Sequence, residues 1–96
     1  TMNENETSFL KNKAYDLVDS GQLAEAMAYF DQICDVNPND AEAWLMSGSI
    51  SGEMGHTEQA VTKLHKAIEL QADYAEAYIQ DRLVMFRMRL TILRKL

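Results

Sequence analysis

The sequence predicts an all-α fold, a solenoid of two helix-turn-helix repeats followed by a long C-terminal helix. Three observations carry that expectation. The stretch Ala41-Glu42-Ala43-Trp44-Leu45 returns as Ala75-Glu76-Ala77-Tyr78-Ile79, an offset of 34 residues. Glycine punctuates the chain at the same interval, at Gly21 and again at Gly55. Between these marks, apolar residues recur at i, i+3 and i+4, the spacing that gives a helix one buried face. A fixed period of this size is the mark of stacked units that bury their apolar faces against one another.

Residues 1–6 are expected to be disordered, with Thr1 before Met2 reading as the remnant of an expression tag. The first repeat then spans 7–40, the second 41–74, and a capping or association helix fills 75–96. The first helix is expected over Thr7 to Ser20, with Asn5 as its cap and Phe9, Leu10, Ala14, Leu17 and Val18 as its apolar face. Gly21 ends it, because glycine tolerates the left-handed turn. The second helix, Leu23 to Val36, turns Leu23, Ala26, Met27, Phe30, Ile33 and Cys34 inward. Pro38 breaks the chain there, since it cannot donate to a continuing helix and pushes Asn37 out of helical geometry. Asn39 with Glu42, and Asp73 with Glu76, have the spacing of a capping box. The third helix runs from Ala41 to Met54, the fourth from Thr57 to Leu70, and a fifth from Tyr74 to Leu96. Ala26 and Ala60 fall on matching positions, small enough for helices that cross about 8–10 Å apart.

Composition narrows the function. Ninety-six residues make one small domain. Residues 1–81 hold all fifteen acids against four lysines, a net −11, whereas residues 82–96 hold Arg82, Arg87, Arg89, Arg94 and Lys95 with no acid, a net +5. The acidic body argues against nucleic acid, which needs clustered cations. Cys34 stands alone and forms no internal disulfide, the start of the chain is polar and acidic, and no apolar run is long enough to span a bilayer. A cytoplasmic protein is expected.

The second unit contains Trp44, Gly48 and Ala60-x₃-Leu64, and the first contains Ala26-x₃-Phe30 and Pro38. On these residues the chain resembles the tetratricopeptide repeat, whose pattern is Trp-x₂-Leu-Gly-x₂-Tyr, then Ala-x₃-Phe, then Pro. The resemblance covers about 7–72. It departs at Lys13 and Ser47, which replace Leu, at Leu17 and Ser51, which replace Tyr, and at Ala72, which replaces the second Pro. Arg82 stands where Ala14 and Gly48 mark the helix crossing, so a third full repeat is not expected.

No catalytic set is readable. His65 and Glu69, at i and i+4, supply two ligands where a metal site needs more. No Gly-rich phosphate loop, Ser-His-Asp set or paired-carboxylate cleft is present, so no enzyme activity, cofactor or metal is expected. The resemblance implies instead a protein or peptide partner, held on the concave face lined by the first helix of each repeat. One subgroup of the family grips the C-terminal carboxylate of chaperones through a Lys/Asn/Arg clamp. Its positions fall here on Lys11, Tyr15, Met46, Glu76 and Gln80, of which Lys11 alone fits, and Glu76 would repel a carboxylate. The concave groove is expected to hold Lys11, Tyr15, Val18, Glu42, Leu45, Ser49, Ile79, Leu83 and Phe86, an apolar strip edged by charge. Such a strip suits an apolar or amphipathic helix or an extended peptide.

The C-terminal segment has two apolar stripes on a helical wheel, Leu83, Phe86, Leu90 and Leu93 on one, Met85, Met88, Ile92 and Leu96 on the other. A helix with two such stripes wants neighbours on two sides. Self-association as a homodimer through Met85, Met88, Leu90, Ile92, Leu93 and Leu96 is one reading. Adsorption on a membrane surface is another, less favoured because the arginines interrupt the apolar surface where a lipid-bound helix separates its faces. The expected function is that of a non-enzymatic interaction module, a scaffold or adaptor within a larger protein. An N-terminal accessory domain of a multidomain enzyme is the alternative should a catalytic domain follow Leu96.

Overall fold

A computed structural model of the chain describes residues 3–71, which form four α-helices and, among these residues, no strand. They are α1 (Glu4–Asp19), α2 (Leu23–Val36), α3 (Ala41–Glu53) and α4 (Thr57–Leu70), each packed on the next in chain order. The fifth helix expected from Tyr74 lies outside the described residues.

The helices α2 and α4 cover the expected residues, and α3 stops one residue early, with Met54 as its C-cap. Two caps differ from expectation. Asn3, not Asn5, starts α1: its side chain accepts from the Glu6 amide at 2.8 Å and donates to the Glu6 carboxylate at 3.0 Å. That reciprocal pair satisfies the exposed amide and brings Glu4–Glu6, expected to be frayed, into the first turn. Both acids there suit the positive end of the helix dipole. Likewise Asp40, not Asn39, caps α3, accepting from the Ala43 amide at 3.0 Å. Glu42 is thereby released from a capping role.

Both hairpin turns close in the same way. Gly21 and Gly55 have φ of +79° and +83°. At the first, the Gly21 amide donates to the Val18 carbonyl at 3.0 Å and the Gln22 amide to Leu17 at 2.8 Å. At the second, Gly55 donates to Gly52 at 3.1 Å and His56 to Ser51 at 2.8 Å. This double bond pattern satisfies the helix's last carbonyls and requires the left-handed residue that glycine supplies without strain. Between the hairpins, the Trp44 indole donates to the Pro38 carbonyl at 2.8 Å, tying the break in the chain to the helix that follows.

Among the described residues the core forms two clusters. Ala14, Ala26, Phe30, Ile33, Cys34, Ala43 and Ile50 form the larger cluster, and Leu45, Ala60, Leu64 and Ala67 the smaller. Trp44 packs against both. Phe30, Ile33 and Leu64 are wholly buried. Burial and the charge of Asp31 push the Cys34 thiol up to about 12. The thiolate is the reactive form, so in the folded chain Cys34 should alkylate slower than a free thiol by on the order of 10³-fold. Iodoacetamide labelling with and without denaturant checks this, and equal rates would place the thiol outside the core.

A polar seam joins α2, α3 and α4. The Ser47 hydroxyl donates to the Asp31 carboxylate. Lys63 Nζ lies 3.2 Å from the same oxygen and 3.3 Å from Ser51 Oγ. Ser51 Oγ also lies 2.8 Å from the Ser47 carbonyl and 3.2 Å from the Met27 sulfur. Ser47 and Ser51 are fully buried, so hydrogen bonds must meet their polar groups, and the seam provides them. Ser47→Ala is expected to lower stability by about 1–2 kcal/mol, the range for a hydrogen bond to a charged acceptor that is itself half exposed. The urea midpoint reads this directly.

Candidate protein-interaction surface

The sequence nominated six groove positions within the described residues, on α1 and α3. Three of them bond to one another. Lys11 Nζ lies 2.7 Å from Glu42 Oε1, and the Tyr15 hydroxyl donates to Glu42 Oε2 at 2.8 Å. Asp40, which sequence reasoning missed as a partner, sits 2.9 Å from the same ammonium. One carboxylate thus holds two residues of α1 against the start of α3. The signal for Asp40 was available in principle, because the cap of α3 must stand beside the residue one turn before Tyr15. Using it required the helix-to-helix register.

Within this cluster the lysine is set by its two carboxylate neighbours. Burial pulls the Lys11 ammonium down, but the hydrogen bonds it donates to Glu42 and Asp40, with their charges, outweigh it and raise its pKa. The sign follows: a raised lysine stabilises the fold fully below its unfolded value and loses that contribution as pH rises through the folded value. Thermal stability should therefore hold through neutral pH and fall above the ordinary lysine range, about 10.4. Lys11→Met should flatten that alkaline limb, and an unchanged limb would assign the loss to other groups. With two carboxylates on it, Lys11 offers little charge to an incoming ligand carboxylate.

Beneath the polar edge, the Tyr15 ring meets Phe30 edge to face, 5.4 Å between centroids at 77°. Val18 is half-buried and packs on the same core cluster. Leu45, expected on the open strip, is 8% exposed and packs with Ala60, Leu64 and Ala67. That packing lies in the contact between α3 and α4. Met46, not placed on the strip by the sequence, is half-buried beside the main cluster, and Ser49 is half-buried one turn further on. The groove positions Ile79, Leu83 and Phe86, and the association positions Met85, Met88, Leu90, Ile92, Leu93 and Leu96, lie outside the described residues.

A polar hollow of about 350 Å³ adjoins this edge, lined by Glu4, Thr7, Ser8, Lys11, Asn37 and Asp40. Within it the Asn37 amide donates to the Thr7 hydroxyl at 3.1 Å, closing the foot of α1 onto the end of α2. Among the described residues, no group of three or more His, Cys, Asp or Glu side chains is placed to hold a metal ion. No helix among them is long and apolar enough to cross a membrane.

Comparison with known proteins adds two findings. Residues 8–50 and residues 41–74 each match the pattern of the tetratricopeptide repeat. A curated relative, DnaJ homolog subfamily C member 3 of Bos taurus, is 33% identical over 64 residues, which is 67% of this chain. The chain spans 13% of that relative's length.

Proposed function

The chain belongs to the tetratricopeptide-repeat family, and from that premise we propose that it is a protein-interaction module whose groove along α1 and α3 receives a peptide or helix. The family's repeats serve as protein-interaction modules, and a stack of such hairpins forms an extended concave surface. The observation that carries the reading is the Lys11–Glu42–Tyr15 cluster, which holds the exposed sides of α1 and α3 in one fixed relation. A groove preorganised in this way binds with less ordering cost. The module works as a scaffold or adaptor segment of a larger protein.

The carboxylate-clamp mode is not supported, because Lys11 is already neutralised by Asp40 and Glu42. The groove instead suits a partner whose apolar side chains sit near Tyr15 and Val18, without a free carboxylate at its anchor.

The test uses the full chain against a displayed library of random peptides. Ser49→Arg puts a bulky cation on a half-buried polar position without opening the core, and should lose the selected peptides while the helical circular dichroism stays unchanged. Peptides that bind the variant as well as the parent would place the binding surface elsewhere.

A further inference from the structure

The most exposed large apolar side chains among the described residues are Phe9, 61% exposed, and Val36, 38%. They belong to one face. A hollow of about 400 Å³ between α1 and α2 is lined by Asn5, Glu6, Phe9, Leu10 and Gln32, and Val36 follows Gln32 by one helical turn. Lys13 Nζ lies 5.7 Å from the Phe9 ring centre, yet leaves most of the ring open. Asp31 and Met27 reach α3 from the other side of α2, so the hollow faces away from the rest of the stack. On that outer face an aromatic ring stands open.

Charge tells which occupant fits. Residues 3–37 carry seven acids against two lysines, a net −5, and Lys11 is already held by Asp40 and Glu42. Residues 82–96 carry a net +5 with no acid, and their apolar residues recur at helical spacing. Acid meets base, and apolar meets apolar.

We propose that the outer hollow of α1 and α2 is the seat for residues 82–96 of a second copy of this chain, joined head to tail. The contact is heterologous: each copy offers one seat and one insert, so copies add in series unless the geometry closes a ring. It rests on the self-association reading of the C-terminal segment and stands apart from the groove along α1 and α3, which can fail without touching it.

Sedimentation velocity of the full chain over a concentration series tests it. The mass should rise with concentration, and should fall when salt is raised from about 50 mM to about 500 mM, which shortens the screening length. Phe9→Glu sits on an exposed position, so circular dichroism should be unchanged while association weakens by about tenfold or more, the value of burying one such ring. A tail variant carrying Leu90→Glu with Leu93→Glu should also remain monomeric. An equimolar mixture of the two variants is expected to form a 1:1 dimer, because the intact tail of one meets the intact seat of the other. A parent chain that is monomeric at every concentration overturns the proposal. So does a Phe9→Glu variant that associates like the parent, which would indicate tail-to-tail pairing, and so does a mixture that stays monomeric.

Discussion

Phe30→Ala is expected to lower stability by about 3–5 kcal/mol, a large share of what a domain of this size commands. Phe30 has no exposed surface and lies among Ala14, Ala26, Ile33 and Ala43, so its removal leaves a cavity that small neighbours cannot fill. The loss extends to the binding surface. Phe30 supports the Tyr15 ring from the side, and Tyr15 in turn donates to Glu42. A thermal melt should drop steeply, and nuclear magnetic resonance of the surviving folded fraction should show Tyr15 in altered surroundings. A melt that moves by only a degree or two would mean that the ring is not a core anchor.

The second large effect is expected at Gly48, and its cause is steric. A Cβ built there would lie 2.9 Å from both Cγ and Cδ2 of Leu64 and 3.2 Å from the Leu64 backbone nitrogen. Alanine gains about 1 kcal/mol of helix propensity over glycine. Against this, overpacking a tight contact costs about 1–3 kcal/mol, and Leu64 Cγ and its amide cannot swing aside as a side-chain tip can. Gly48→Ala should be net destabilising, and Gly48→Val clearly more so, with two further methyls and a branched Cβ. Leu64→Ala alone should also destabilise, by about 2–5 kcal/mol. The double variant, Gly48→Ala with Leu64→Ala, should lose less than the two single losses together, because the new methyl enters the space that the leucine leaves. Strict additivity in the urea midpoints would show that the two residues do not share a crossing.

Much of this fold could be read before any coordinates. The helical period and the breaks at Gly21, Pro38 and Gly55 gave the bounds of α2 and the start of α4 to the residue, while the expected fifth helix lies outside the described residues. Those signals are local: a left-handed glycine and a missing proline amide act within one turn of chain. The caps were harder, because Asn3 and Asn5, or Asn39 and Asp40, are equally good acceptors in isolation, and which one aligns depends on how the preceding segment approaches. The contacts among the nominated surface residues were harder to read. Lys11, Tyr15 and Glu42 were expected on one concave face, and the bonds that Glu42 makes to the other two were not foreseen. Leu45 shows the limit. Its place in the helical period marks it as apolar, but only the distance to α4 determines whether that apolar side is open or covered. The Asp31–Ser47–Ser51–Lys63 seam was invisible for the same reason, since its members are up to 32 residues apart and meet across three helices.

That seam has a bearing on which hairpin stacks on which. Apolar faces built on one repeating pattern are interchangeable, and a hairpin from a neighbouring molecule could in principle displace the proper one. Lys63 and the two serines make the exchange unequal. In the native order the ammonium finds Asp31 and Ser51; against any surface lacking that carboxylate, a side chain only 15% exposed would be left without its counter-charge. An unpaired charge held away from water is among the costliest defects a fold can carry. The serines that interrupt the expected Leu and Tyr pattern thus act as an address, giving a modular chain one assembly order and guarding it against swapping parts with its copies.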